Sequence, residues 1–205
     1  MTTLTMGRRP FEFVLSEGDD MISREAVTVE QASARVLVPG QILGRVFTAV
    51  VAKVSGNGNG NAAGATVTFG RDAKVGVYTL TCTAASTDAG TFSVVAPDGE
   101  RLADLTVASA YTSTHINLTI PDGSTDWGSG AVITVTVTAK VKPYTANATD
   151  GSQTAIGILG EGVDASTADQ KAVMIARHCE VFADKLTGAT ATALAQLANL
   201  NIIAR

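Results

Sequence analysis

"DGSQTAIGIL" (150–159) couples a turn to a buried strand: Asp150-Gly151 is a strong turn dipeptide, and Ala155 to Leu159 runs apolar without a break. "VPGQILGRV" (38–46) repeats the arrangement, with Pro39-Gly40 as its turn. Between the two lies "VSGNGNGNAAG" (54–64), a Gly/Asn run with no large side chain to bury, followed by about eighty further residues. Two matched β elements separated in this way belong to one domain that another interrupts.

Both flanks are small for independent folding, but residues 1–53 and 141–205 together make about 118, a normal domain size. The stretch 54–140 reads as an inserted domain of about 87 residues whose own ends lie close together. Its segments "ATVTFG", "GVYTLTCTA", "GTFSVVA", "RLADLTVA", "INLTI" and "AVITVTVTAK" are short strands, with turns at Pro97-Asp98-Gly99 and Pro121-Asp122-Gly123. Thr and Val alternate through "VITVTVT", giving one apolar and one hydroxylated face. The expected class is mainly β: a compact β-rich core with one short C-terminal helix, interrupted by a small antiparallel β-sandwich.

In the flanks, "AVTVE" and "ARVLV" alternate as strands. The segment 171–186 is ambiguous: Val173, Ile175 and Arg177 alternate, while Ala172, Ile175, Ala176 and Cys179 fit a helix. "TATALAQLANL" is helical by the recurrence of Leu194, Leu197, Ala198 and Leu200, with Thr190 or Thr192 to cap it, and "NIIAR" ends the chain as a short strand.

Charge and composition exclude several functions. A net charge of −4 and pI near 5.1 oppose nucleic-acid binding, which calls for a basic patch. No apolar run reaches the roughly 18 residues of a membrane helix, and "MTTLTMGRRPFEFVL" reads as no secretory signal. Two cysteines, Cys82 and Cys179, make no disulfide framework and suit a reducing cytoplasm as free thiols.

Chemistry is sparse. Nucleophilic catalysis usually needs a histidine base, and only His115 and His178 are present. His178-Cys179 lacks further ligands at metal spacing, and the acidic group Glu17, Asp19, Asp20 lacks the alternating ligands of a calcium loop, so it reads as solvated. "GNGNGNAAG" lacks the Lys-Ser/Thr ending of a phosphate loop. No catalytic residue, metal or cofactor is expected.

"FEFVLSEGDDMISREAVTVEQASARVLVPGQILGRV", "DGSQTAIGILGEGVDAS" and the terminal "LAQLANLNIIAR" resemble the lambda-type head decoration protein D family of tailed bacteriophages. The resemblance covers 1–53 and 141–205, and the insert resembles the additional β domain of longer members. It implies a homotrimer on the outer surface of the expanded capsid, assembled in the bacterial cytoplasm, that cements neighbouring major capsid protein subunits against DNA pressure. It also implies strands for 171–186. Residues 1–20 are then an extended capsid-binding arm with Arg8, Arg9, Phe11, Phe13 and Val14 as its contact residues. Phe11 and Phe13 would share one face, placed where the protein's own core has least use for them, and loss of residues 1–15 would leave the fold intact. Contact of the insert with a host surface or glycan is left open. The rivals are a phage tail protein, which would form rings or tubes, an adhesin or carbohydrate-binding module, which calls for an export signal, and, weakest, a hydrolase.

Overall fold

Alternation of small β-branched residues sets much of the chain into strands, as a computed structural model describing residues 7–18, 22–60, 62–148 and 150–205 shows. In chain order they are β1 (Val14–Glu17), β2 (Arg24–Val29), β3 (Val36–Leu37), β4 (Ile42–Ser55), β5 (Thr68–Phe69), β6 (Gly76–Ser86), β7 (Ala89–Val95) and β8 (Leu105–Thr106). There follow β9 (Ile116–Asn117), β10 (Val132–Pro143), β11 (Ala155–Leu159), β12 (Val163–Asp164), β13 (Gln170–Ile175), β14 (Cys179–Val181), helix α1 (Ala191–Ala198) and β15 (Ile202–Ala204). The chain divides into two compact units, residues 1–46 with 139–205 and residues 47–138, and the division falls inside the long strands β4 and β10.

In the first unit, β2 pairs antiparallel with β13, β13 with β11, and β11 with β4. β4 lies beside β10, where Tyr144 N–H donates to the Ile42 carbonyl at 2.9 Å, and β10 meets β2 in parallel at Val141 and Val29. The five strands therefore close on themselves as a small barrel, which leaves no open edge among them. Val29, Leu43, Val141, Leu159, Ala172 and Met174 form one buried cluster. Their neighbours Ile42, Ile158 and Ile175 belong to a second cluster with Phe13, Cys179, Val181, Leu197 and Ile202. Successive strand residues point to opposite faces, so Ile158-Leu159 serves both clusters and the segment must be apolar throughout. That is why "AIGIL" has no polar position.

A three-stranded sheet, β1-β14-β15, and α1 supply the rest of that second cluster. The ambiguous 171–186 segment is strand up to Val181, broken at His178, whose φ of 49° makes the turn between β13 and β14, and ends in a single 3-10 turn at Ala183–Lys185. Thr190 caps α1, accepting the Ala193 N–H at 3.1 Å, and Ala193 and Leu197 bury its inner side.

In the second unit β10, β6, β7 and β8 form an antiparallel sheet, with β4 alongside β10. Ile133, Val135 and Val137 are buried while Thr134 and Thr136 are not, the separation that the Thr/Val alternation sets up. Tyr78, Leu80, Phe92, Val94 and Trp127 fill the core, closed by the β5–β9 ribbon through Phe69 and Ile116 and by irregular segments. The Gly/Asn stretch has no large side chain to bury, yet its glycines pack against this core. The Trp127 ring lies on the backbone of Gly58, where a Cβ would sit 2.4 Å from it, and Lys53 Nζ donates to the Gly58 carbonyl at 2.6 Å. The glycines are there to let an indole lie on bare backbone, not to make the chain loose.

Candidate functional site

The residues expected to reach outward are drawn onto the first unit. Pro10 opens a tight turn in which Glu12 N–H donates to the Arg9 carbonyl and Val14 N–H to that of Phe11, with Phe11 at φ 57°. The segment is thus turned before β1 rather than extended, and the two phenylalanines do not project from a strand face. Their rings lie 6.4 Å apart, nearly parallel at 29°.

Phe13 has no exposed surface and packs with Ile42, Val181 and Leu186. Its carbonyl accepts the Phe182 N–H at 2.8 Å. Phe11 is half-buried: its N–H donates to the Gly160 carbonyl at 2.8 Å, and the Arg24 guanidinium sits 4.3 Å above its ring. Arg24 is held in turn by Glu17 through two bonds of 2.8 and 2.9 Å, and the Arg24 hydrogen bond holds the Glu17 carboxyl below its usual range despite partial burial. The expectation that the core has no use for Phe11 and Phe13 is corrected: they complete it, because β14 and Gly160 leave a place that only the N-terminal segment fills.

Arg8 is also docked, Nη1 donating to the carbonyls of Lys185 (2.7 Å) and Pro39 (3.3 Å) and to the Thr187 hydroxyl (3.2 Å). Arg9 is exposed, and its backbone N–H donates to Glu12 Oε2 at 3.1 Å. Val14 pairs with Val181 in β1, which is an edge strand. Leu15, Phe182 and Ile203 expose apolar surface on this unit. Residues 1–6 of the expected arm, and Asp19 and Asp20 of the acidic group, lie outside the described residues.

The other candidates are dispersed. His178 is exposed while Cys179 beside it is buried, its thiol pushed up to about 11, first by burial and then by the Glu17 and Glu180 carboxylates. A buried thiol held protonated in this way is a poor nucleophile at neutral pH. Cys82 is buried and raised by the same desolvation, and both cysteines are free. His115 is buried between the Tyr78 hydroxyl, 3.2 Å from Nδ1, and Glu100, 3.6 Å from Nε2. The Tyr78 hydroxyl also accepts the Lys74 N–H at 2.8 Å.

One grouping had no signal in the sequence. Carboxylate oxygens of Asp88, Asp122 and Asp126, from two separate loops, lie within 4.8 Å of one another in the second unit. Asp126 Oδ1 accepts the Asp88 N–H at 3.1 Å, while Asp122 Oδ1 has no partner among the described residues. These are the side chains among the described residues that could offer a cation three ligands; exposed acidic groups of this kind are common without one.

Among the described residues no helix is long and apolar enough to cross a membrane. No curated protein matches the chain. Two crystal forms of Xanthomonas campestris FlgL align with TM-scores of 0.32 and 0.31 at 14% and 13% identity, covering 50% and 52% of this chain. The chain spans about a third of that FlgL chain, 33% and 34% in the two forms. The family described as Bacteriophage lambda head decoration protein D matches residues 98–202, just over half of the chain. That span omits "PGQILGRV" and takes in 98–140, so the resemblance in sequence and the family match share residues 141–202. Those shared residues build β11, β13, β14, α1 and β15, the elements that receive Phe11 and Phe13, and the chain belongs to the lambda head decoration protein D family.

Proposed function

We propose that this protein decorates the outside of a tailed-phage head, binding as trimers to the expanded shell and cementing neighbouring major capsid subunits against the pressure of packaged DNA. The family match over residues 98–202 carries this reading. The work is structural, done by contact rather than by catalysis. The N-terminal segment is the capsid-binding element, divided by role: Phe11, Phe13 and Val14 anchor it, and Arg8 and Arg9 face the shell.

Three physical considerations support this reading. Residues 8–18 are already held by their own core, so their backbone entropy, about 1–2 kcal/mol per residue, does not oppose docking. A trimer offers three such segments at once, and effective concentration raises the combined affinity by roughly 10²–10⁴ over one arm. Among the described residues β1 is an edge strand, open to strand addition, the usual way an extended segment joins a sheet.

The test is sedimentation of the purified chain with undecorated expanded heads and with unexpanded precursors. Co-sedimentation with expanded heads alone, saturating at three copies per local threefold position, is the expected result. Failure to bind either particle, or assembly into rings or tubes, overturns the reading.

A further inference from the structure

The sequence contains two Asn-Gly pairs side by side, Asn57-Gly58 and Asn59-Gly60, and the structure treats them differently. Asn59 is pinned at both ends of its side-chain amide and at its backbone N–H: Nδ2 donates to Ser124 Oγ at 2.8 Å, Oδ1 accepts the Thr125 N–H at 2.8 Å, and its backbone N–H donates to the Thr125 carbonyl at 3.2 Å. Asn57 is exposed, and its side-chain amide makes no hydrogen bond among the described residues. Its only backbone bond there is its carbonyl accepting the Gly128 N–H at 3.4 Å. The Gly58 N–H is likewise unengaged among the described residues.

We propose that Asn57 is a site of spontaneous covalent modification, converting through a cyclic imide while Asn59 is protected. The Gly58 backbone nitrogen attacks Cγ of Asn57 and forms a new C–N bond. The Cγ–Nδ2 bond breaks, and ammonia leaves with the proton that Gly58 N gave up. Water then adds to one of the two imide carbonyls. Opening at Cγ leaves an aspartyl residue at position 57, and opening at the backbone carbonyl leaves an isoaspartyl residue. The net change is one water consumed and one ammonia released, with no oxidant or reductant. Glycine at 58 matters because the attacking nitrogen carries no neighbouring Cβ to shield it.

The modification falls on a sensitive place. Gly58 underlies Trp127, and its carbonyl is held by Lys53, whose Nζ is 5.9 Å from the centre of the same ring. The isoaspartyl product adds one methylene to the main chain directly before Gly58, so the backbone under the indole must shift. Trp127 is the chain's only tryptophan, and its emission therefore reports the change. None of this depends on the proposed capsid role.

The experiment is incubation of the full chain at mildly alkaline pH and physiological temperature, followed by peptide mapping with isoaspartate detection. Asn57 should convert roughly tenfold faster than Asn59 or more, since hydrogen bonds at Asn59 must break first. The denatured chain, incubated in parallel, should convert at both positions alike. Asn57→Gln should abolish the mass change at position 57 and the accompanying drift in tryptophan emission. Equal conversion at the two sites in the folded chain, or an unmodified Asn57 when the denatured chain has converted, overturns the proposal.

Discussion

The Phe11 ring occupies the space that a side chain at residue 160 would need: a Cβ added to Gly160 would lie 2.4 Å from two of the ring's carbons. The same pair is joined by the hydrogen bond from Phe11 N–H to the Gly160 carbonyl. Gly160→Ala should therefore expel the ring and loosen the segment before β1. Overpacking of this kind costs about 1–3 kcal/mol. Denaturant unfolding gives the loss of stability, and limited proteolysis should show new cleavage ahead of Val14; an unchanged digest would count against the lock.

Phe13 is the deeper anchor. It is wholly buried, so Phe13→Ala leaves a cavity bounded by two sheets and should lower stability by about 3–5 kcal/mol. Phe11→Ala, at a half-buried ring, should cost less. Equal and small effects of the two changes in urea melts would show that the segment contributes little to the core.

The β elements were legible where burial imposes a local pattern. "AIGIL" is apolar throughout because both its faces are covered, and "VITVTVT" alternates because one face is. Thr190 sits where a cap is needed. What stayed hidden depends on partners far along the chain. Nothing near Phe11 reveals that Gly160 leaves room for it, and nothing near Gly58 reveals that Trp127 will lie across it. A glycine-rich stretch then reads as a linker and an aromatic arm as a free arm. Asp88, Asp122 and Asp126 converge from two loops and share no spacing rule at all.

Residues 47–138 should be removable. The Thr48 and Thr138 hydroxyls are 2.8 Å apart, so β4 and β10 are neighbours where the second unit begins. Replacing residues 49–137 with an Asn-Gly turn should convert the two strands into a short hairpin. The expected product melts cooperatively and retains its barrel, since Val29, Leu43, Val141 and Leu159 all remain. Loss of a cooperative transition by calorimetry would show that the first unit needs the second in order to fold.

Acid should weaken the turn that opens "DGSQTAIGIL". Asp150 is lowered to about 2 by hydrogen bonds from Lys142 and Ser152, against burial that opposes it. A depressed carboxyl pKa contributes stability that is complete above the unfolded value of about 3.9 and is lost as pH falls through the folded one. The window is therefore roughly pH 4 down to 2. The Asp150 side chain is 46% exposed, so water screens the pair and the contribution should stay below about 1 kcal/mol. Asp150→Asn should flatten that part of the stability profile and leave the profile above pH 5 parallel to the parent; an unchanged acid limb would refute the assignment.

Truncation from the N-terminus separates anchoring from capsid contact, because the two roles fall on different sides of Pro10. Removing residues 1–9 takes away Arg8 and its three hydrogen bonds to Pro39, Lys185 and Thr187 but spares Phe11, Phe13 and β1. That chain should remain folded, with a modest loss of stability since the Arg8 bonds are largely exposed, and should lose most of its binding to expanded heads. Removing residues 1–15 also takes away Phe13 and the β1 pairing of Val14 with Val181, and leaves the second core cluster open to water. It should fail to fold cooperatively, contrary to the behaviour of a free arm. Circular dichroism melts sort the two chains by fold, and sedimentation with heads sorts them by binding. If the chain lacking 1–9 binds heads as the full protein does, capsid contact is made by the first unit's own surface, and the exposed residues Leu15, Phe182 and Ile203 become the next to change.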